Sequence, residues 1–467
     1  MTAFRLMRLW ASLILLVLLA GCMVGPDYQR PAMDVPAEFR EPAQTDPDFA
    51  NLPWWELFGD PVLQELIEEA LQHNRDLATA VSRIEESRAN LGIVRANQFP
   101  FVDANASAGR TSPSDNVEPG GGTVDDFYLG GVASFELDLW GKLRRATAAA
   151  RASLLATEAN ARNVTISLVA SVANNYFLLL DLDDRLAIAR STLQSREHSL
   201  EIIRARFEKG TVPELDLNQA EVEVADAQAA VALYERLGRQ VENALSVLVG
   251  TRPRAIARGI DLEQQTMPVD VPAGLPLGLL ERRPDLQAAE QQLVAATELV
   301  GVARARRLPS FSLTGNFGVA SQDLDDLLDG DSETWGVFGN IFAPLFNSGQ
   351  LRSAEEAQRQ RAEQARLAYE QAVLSALRDV DDALTAVRTL HDEHQARLRQ
   401  LVAAKNAARL SRARYDGGVV SYLEVLDSER SLFQVALLES QTRQQQLSAV
   451  VRLYRELGGG WSPAEGP

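Results

Sequence analysis

The chain has 467 residues, a formal charge of −18 at pH 7 and a single cysteine, Cys22. One cysteine excludes an internal disulfide, and an acidic balance of this size argues against nucleic acid as a partner, which needs a basic face. Net charge leaves the fold open.

Residues 1–21 carry Arg5 and Arg8, then an apolar run from about Trp10 to Ala20. That run is short of the ~20 residues a membrane-spanning helix needs and fits the middle of a secretory signal. It ends Leu19-Ala20-Gly21-Cys22. An ordinary cleavage site beside a stray cysteine is one reading. The sharper reading is a bacterial lipoprotein signal, which Leu-Ala-Gly-Cys resembles. Small residues there admit the peptidase, and Cys22 becomes the lipidated first residue. Acyl chains anchor by burying methylenes, about 0.8 kcal/mol each, and beyond this covalent lipid no cofactor is expected. Met23 in place of Asp implies, by the same resemblance, delivery to the outer membrane. Loss of Arg5 and Arg8 takes the charge from −18 to about −20. Residues 22–60 are Pro-rich and aperiodic, an extended segment ending in Trp54-Trp55, which are expected to pack on the helices that follow. Asp60 can cap a helix with Pro61 in its first turn.

A first unit is expected over residues 61–250. Pro61–Gln98 predicts one helix, broken by Pro100. Alternation over residues 101–139 predicts a hairpin: Val102, Ala104, Ala106 and Ala108 oppose Asp103, Asn105 and Ser107, and Phe135, Leu137 and Leu139 oppose Ser134, Glu136 and Asp138. Lys142 to about Phe207 has no Pro or Gly and predicts a helix of about 100 Å. A shorter helix follows, where Leu217, Ala220, Val224, Ala227, Val231, Tyr234, Val241, Leu245 and Leu248 mark a coiled-coil seam broken only at Gly238. Residues 251–280 read as a linker rich in Pro and Gly. A second unit over 281–458 repeats the plan. Its hairpin, 310–346, sets Phe311, Leu313, Phe317 and Val319 against Ser312, Thr314 and Asn316. Its long helix runs from about Gln350 to Tyr415, and residues 459–467 form a flexible tail.

The two units are copies. Asn74–Pro100 aligns with Arg283–Pro309 without a gap, matching Asp76/Asp285, Gly92/Gly301, Arg95/Arg304 and Pro100/Pro309. Gly141-Lys142-Leu143-Arg144 faces Gly349-Gln350-Leu351-Arg352. Arg206–Gln219 (RFEKGTVPELDLNQ) aligns with Arg414–Asp427 (RYDGGVVSYLEVLD) at an offset of about 208 residues. These last two stretches are hinges between helices. Gly210 and Gly418 are expected to end the long helices in left-handed conformation. Thr211-x-x-Glu214 and Ser421-x-x-Glu424 read as capping boxes, and Asp427 lies one turn beyond Glu424 on the same face.

Four strands of close to the 9–11 residues that cross a membrane at a tilt, with one apolar and one polar face, suggest a barrel wall. Two soluble hairpins are the alternative. Four strands cannot close a barrel, and open edges do not exist in lipid. Two copies would give eight strands with a filled interior; three would give twelve and a lumen. The long helices carry too much Arg, Asp and Glu to lie in lipid.

Catalytic chemistry is sparse. His391-Asp-Glu-His394 could present two metal ligands on one turn, but a solvated helix face is the preferred reading. There is no phosphate loop, no Cys-based site and no Ser elbow, and no enzyme is expected.

Over nearly its whole length, from Leu-Ala-Gly-Cys through Trp54-Trp55 and Arg282-Arg283-Pro284-Asp285-Leu286 to Tyr415–Asp427, the chain resembles the TolC-like outer-membrane efflux factors, in the NodT/OprM-like lipoprotein branch. The resemblance implies a mainly α fold with a membrane β-barrel part: long α-helical hairpins forming a periplasmic tunnel, and four strands per chain in a trimeric 12-stranded barrel. It implies a homotrimer acting as a passive exit duct for drugs or other small molecules. The partners would be a periplasmic adaptor and an inner-membrane pump of the resistance-nodulation-division type. It places Tyr415, Leu423, Glu424 and Asp427, with Asp216 of the first copy, at a periplasmic gate. It makes Arg206, Gly210, Arg414 and Gly418 the tip to which adaptors dock. This chain departs from the family in having Glu at 424 and Val at 420. The competing reading is a lipidated periplasmic coiled-coil scaffold or tether without a pore, which would not require duplicated hairpins.

Overall fold

The structure is a computed structural model that describes residues 23–33, 36, 39–40, 59–114, 116–117, 122–265 and 276–459. The expectations for Cys22, Trp54, Trp55 and residues 460–467 lie outside them. In chain order the elements are α1 (Pro61–His73), α2 (Arg75–Ala96), β1 (Phe101–Thr111), β2 (Val124–Leu137), α3 (Lys142–Glu208) and α4 (Glu214–Leu248). Then come α5 (Pro276–Arg282), α6 (Pro284–Ala305), β3 (Ser310–Ser321), β4 (Glu333–Phe342), α7 (Gln350–Asp416) and α8 (Tyr422–Glu456). Single 3-10 turns fall at Leu262–Gln264 and Gly330–Ser332.

The duplication is visible in element lengths. The helices α3 and α7 both have 67 residues, α4 and α8 both 35, and α2 and α6 both 22. Asp138 starts α3: its two carboxylate oxygens accept from the amides of Leu143 and Arg144 at 3.1 and 2.9 Å, supplying the acceptors that a helix N-terminus lacks. The single helix expected over 61–98 is two helices. The chain leaves helical geometry at Asn74 (ψ 131°), whose Oδ1 accepts from Leu77 N–H while its Nδ2 donates to the Leu248 carbonyl. A side chain that caps one helix and ties down another offsets the lost helical turn.

The chain divides into two compact units, one of Met1–Ala32, Arg83–Glu158 and Ala288–Glu370, the other of Met33–Ser82, Ala159–Gln287 and Gln371–Pro467. The first holds the antiparallel sheet, in the order β1-β2-β3-β4. Its register sorts the side chains as the alternation expects. Phe135 lies opposite Leu313, Leu137 opposite Phe311 and Phe317 opposite Trp335, whereas Glu136 meets Ser312 and Ser134 meets Thr314. The apolar face is bare: Phe317, Trp335 and Ile341 are 65%, 75% and 70% exposed. Exposed aromatic and aliphatic side chains in such number mark a face built for lipid or another chain.

The described N-terminal residues 23–33 have no regular structure, as expected, yet they are fastened to this unit. Arg145, 1% exposed, donates through Nη1 to the Pro26 carbonyl and Glu298, and through Nη2 to Asp27. Glu290 accepts from Tyr28 Oη at 2.8 Å and from Arg30 Nε and Nη2 at 2.8 and 2.6 Å. Burial opposes ionisation of Glu290, but Arg30 and Tyr28 outweigh it and hold the carboxyl below its usual range. The Gly92/Gly301 match of the repeat has one physical cause, on the second side only. A Cβ at Gly301 would meet Arg145 Cδ at 2.7 Å and the Val24 carbonyl at 3.0 Å, whereas Gly92 faces open space.

The second unit is helical. The predicted seam of α4 is present, with Ala220, Val224, Ala227, Tyr234 and Leu245 buried. Part of α3 is apolar enough to cross a membrane by composition, but half of that window is buried within the chain. Residues 251–265, expected to be a linker with little pattern, are packed: Ile256, Leu262 and Gln265 are buried. They close over Asp60, which is fully buried. Its Oδ1 accepts from Val62 N–H, the expected cap, and its Oδ2 accepts from Tyr176 Oη, Ile260 N–H and Gln265 Nε2 at 2.8–2.9 Å. The Arg282–Leu286 run also has a structural role. Arg283 grips Asp285 through Nε and Nη2, and through Nη1 reaches the side chain and carbonyl of Glu456 at the end of α8.

Two predictions follow from this unit's polar interior. Asp60→Ala strands several buried donors at once and should lower unfolding stability by about 3 kcal/mol or more, as read by urea denaturation; Asp60→Asn, which keeps an acceptor oxygen, should lose less. Asp184 on α3 is pushed up to about 6 by burial first, then by Asp181, Asp261, Asp183 and Glu439. An acid whose folded value is raised penalises the folded state as pH climbs from the unfolded value toward 6. Asp184→Asn should therefore stabilise by on the order of 1–2 kcal/mol at about pH 7.5 and by almost nothing near pH 4. An equal gain at both pH values would assign the effect to something other than charge.

Candidate functional site

The two hinges meet in the second unit. Each long helix ends in the same hydrogen-bonded turn. Gly210 N–H donates to the Phe207 carbonyl at 2.8 Å and Thr211 N–H to Arg206 at 2.9 Å; Gly418 N–H donates to Tyr415 and Val419 N–H to Arg414, both at 2.9 Å. The 6→1 and 5→2 bonds satisfy the last carbonyls of the helix and demand a left-handed residue, which Gly210 and Gly418 supply at φ +72° and +70°. That expectation is met in both copies.

The capping boxes are not formed. Ser421 stands at the N-cap of α8 without a side-chain bond, and Pro213 holds that place for α4. Thr211 Oγ1 instead donates backward to the Arg206 carbonyl at 2.8 Å. Glu424 does not reach back to the amides; it accepts from Arg414 Nη1 at 2.7 Å. The cation across the turn outcompetes the amides because a charged donor makes the stronger bond.

Inside the turn, Ile203, Ala220, Tyr422, Val425 and Leu426 form a buried cluster, with Leu200, Val212, Leu217 and Tyr415 packed against it. Both copies thus contribute to one apolar plug. The rings of Tyr415 and Tyr422 are 5.4 Å apart and tilted by 49°, and burial pushes the Tyr422 hydroxyl up to about 12. The Arg206 guanidinium lies 5.1 Å from the Tyr415 ring centre, within cation–π range. Arg206 and Arg414, equivalent in the repeat, therefore do different work: one rests on an aromatic face, the other clasps Glu424.

The remaining expected residues sit at the surface of this plug. Leu423 is exposed, as is its repeat partner Leu215. Asp216 is half-buried. Asp427 is exposed and has no side-chain partner among the described residues. The structure thus brings together Arg206, Tyr415, Arg414 and Glu424, and leaves Asp427 and Leu423 free for contacts outside the chain.

One group went unread in the sequence. Below the plug, Arg196, 3% exposed, pairs with Glu223 at 2.9 Å and Asp226 at 3.0 Å, and Arg430 of α8 also pairs with Glu223. The Arg196 guanidinium lies 5.1 Å from the Phe433 ring centre. The repeat positions of Arg196 and Glu223 are Ala404 and Ser431, so the duplication carried no signal for them. The histidine pair is corrected too. His394 is buried and contacts Glu439 at 3.0 Å, while His391 contacts Gln446 at 3.2 Å. They are interhelical contacts rather than a solvated face. No His, Cys, Asp and Glu group able to hold a metal ion occurs among the described residues.

The family model described as outer membrane efflux protein matches residues 66–251 and again 275–459, one match per copy. The chain is 38% identical over 462 residues to the solvent efflux pump outer membrane protein SrpC of Pseudomonas putida, covering 96% of this chain and 98% of that one. It is 35% identical over 450 residues to the cation efflux system protein CusC of Escherichia coli O157:H7, covering 95% and 96%. A solved membrane protein from Pseudomonas aeruginosa superposes with a TM-score of 0.89 at 34% identity, covering 94% and 98%. The chain belongs to the outer membrane efflux protein family.

Proposed function

We propose that three copies of this chain form the passive exit duct of a tripartite efflux pump, anchored by lipid on Cys22 and gated at the paired hinges. The observation that carries the reading is the sheet: four strands with a bare apolar face, in which β1 and β4 each pair on one side only. In lipid those edges must be paired, and an even strand count lets copies join antiparallel into a ring. Outer-membrane location and efflux belong to the family; the trimer, the anchor and the partners are our inference. A scaffold without a pore would have no use for the exposed apolar sheet.

The duct does not choose the cargo. Relatives named for solvent efflux and for cation efflux resemble this chain almost equally, at 38% and 35% identity. Selection then falls to an inner-membrane pump of the resistance-nodulation-division type, which also supplies the energy. The turns at Gly210 and Gly418 suit adaptor docking: Phe207, Leu215, Val419 and Leu423 are exposed apolar side chains around them, and exposed patches of this kind mark interaction surfaces.

Mass spectrometry tests the assembly. The mature N-terminus should carry an acyl mass on Cys22, and native spectra in detergent should give about three times the 51.1 kDa chain less its signal. An unmodified Cys22 would remove the anchor, and a stable monomer or dimer would remove the duct.

The gate is tested by conductance. Three Asp427 carboxylates gathered about a threefold axis favour cations. Asp427→Ala should raise single-channel conductance by about twofold and weaken cation preference. Divalent cations on the periplasmic side should block the native channel and spare the mutant. Unchanged conductance, selectivity and divalent block in the Asp427→Ala/Glu424→Ala double variant would place the constriction at another level.

A further inference from the structure

The register sets four chain ends together at one end of the sheet. Phe101 pairs with Ser134, Leu137 with Phe311 and Ser310 with Phe342. The ten-residue flanks that meet this end (91–100, 138–147, 300–309 and 343–352) hold eight basic residues and one acidic, Asp138. At the opposite end, the turn 322–332 holds five acidic residues and no basic one. In a chain of net charge −18 this is a local inversion.

Some of the cations are spent within the chain. Lys142 pairs with Glu136, Arg144 with Asp138 and Arg307 with Glu355, and Arg145 is buried. Arg95, Arg304, Arg306 and Arg352 are exposed and have no side-chain partner among the described residues. Helix dipoles do not account for the set. A last-turn cation is favoured, which suits Arg95 and Arg304. But Arg306 lies beyond α6, and Arg352 stands in the first turn of α7, which has no acid to offset it. Arg304 also lines a groove of about 510 Å³ whose wall includes Leu293, Val300 and Pro26; its acids Asp27 and Glu363 are paired with Arg145 and Arg366, so the Arg304 guanidinium and apolar surface lie side by side.

We infer that these guanidinium groups form a docking surface for the headgroups of anionic phospholipid in the leaflet that meets this end of the sheet. The inference rests on the sheet crossing the outer membrane. Each basic group near an anionic surface is worth about a fivefold gain in binding, and arginine matches a phosphate in two-pronged geometry. Zwitterionic lipid of the same chain length offers no net charge to the same groups.

The test is native mass spectrometry of the full-length protein in detergent with added phosphatidylglycerol or phosphatidylcholine of identical acyl chains. Phosphatidylglycerol should be retained about tenfold over phosphatidylcholine in 0.1 M salt, and about twofold or less in 0.5 M salt, where screening shortens the reach of surface charge. Arg304→Gln/Arg306→Gln/Arg352→Gln should lose the preference, and the corresponding triple Lys variant should keep most of it. Equal retention of the two lipids by the native protein overturns the inference. So does a Gln variant that keeps the preference but changes ion selectivity, which would put the arginines in the pore. A Gln variant that loses its oligomer, from a native protein whose lipid retention ignores salt, would assign them to pairing between copies. Planar-bilayer conductance of the native preparation separates the two readings: a conducting channel without lipid preference fails this inference alone, and a protein that does not insert fails the duct itself.

Discussion

A peptide group in hydrocarbon has no water to bond, and the first unit is shaped by that constraint. Within one chain the ladders β1–β2, β2–β3 and β3–β4 satisfy the inner strands. The outer edges of β1 and β4 remain, and they are different surfaces. A contact between two different edges is head-to-tail, and such contacts must close into a ring or run on without end. Because β1 and β4 run in opposite directions, in the proposed ring β4 of one copy would meet β1 of the next antiparallel at every joint. The residues cooperate with this. Alanines 104, 106 and 108 keep one strand slim, while Phe311, Phe317, Trp335 and Ile341 thicken the other end of the same face.

Duplication supplied the backbone, and substitution has since divided the labour. The two hinges share the same turn, the same hydrogen bonds and glycine φ values within 2°. Their side chains differ where chemistry enters: Phe207 against Tyr415, Asp216 against Glu424, Gln219 against Asp427. Only the second copy carries Tyr415, on which Arg206 of the first copy rests. The plug is asymmetric inside a symmetric frame: Arg206 of the first copy braces Tyr415, and the second copy alone carries the acid at 427, where the first has Gln219.

How much of this was legible follows from the range of each interaction. The long helices, the strands and the left-handed glycines depend on nearest neighbours, and the reading from residues places α3 and α7 to within a residue or so of their ends. Asn74 breaks a helix for a reason visible only when Leu248 arrives to accept from it. Residues 251–265 have no periodicity because they are held by Asp60, Glu242 and Asp183 rather than by a face of their own. The second capping box failed for the same reason in reverse: a local pattern was present, but Arg414 offered Glu424 a stronger donor. Arg196 and Glu223 are spelled nowhere, since Arg430, the further partner of Glu223, lies some two hundred residues on.

The energetic weight of the hinge is uneven, and that bears on how a duct of the proposed kind could open. The buried cluster of Ile203, Tyr422, Val425 and Leu426 belongs to one chain, so opening need not expose it. What bridges the turn at the surface is the Arg414–Glu424 pair, with side chains 54% and 42% exposed. Exposed pairs of this kind are worth about 0–1 kcal/mol. Asp427, with no cationic partner among the described residues, adds repulsion in any ring of three. A closed state of the proposed trimer would then be held by packing between copies at Leu423 and its neighbours, against an electrostatic push outward. An adaptor docking at the exposed apolar turns would have only weak surface pairs to exchange. The buried core would ride along as a rigid body, which is the arrangement a gate needs if it is to open without unfolding.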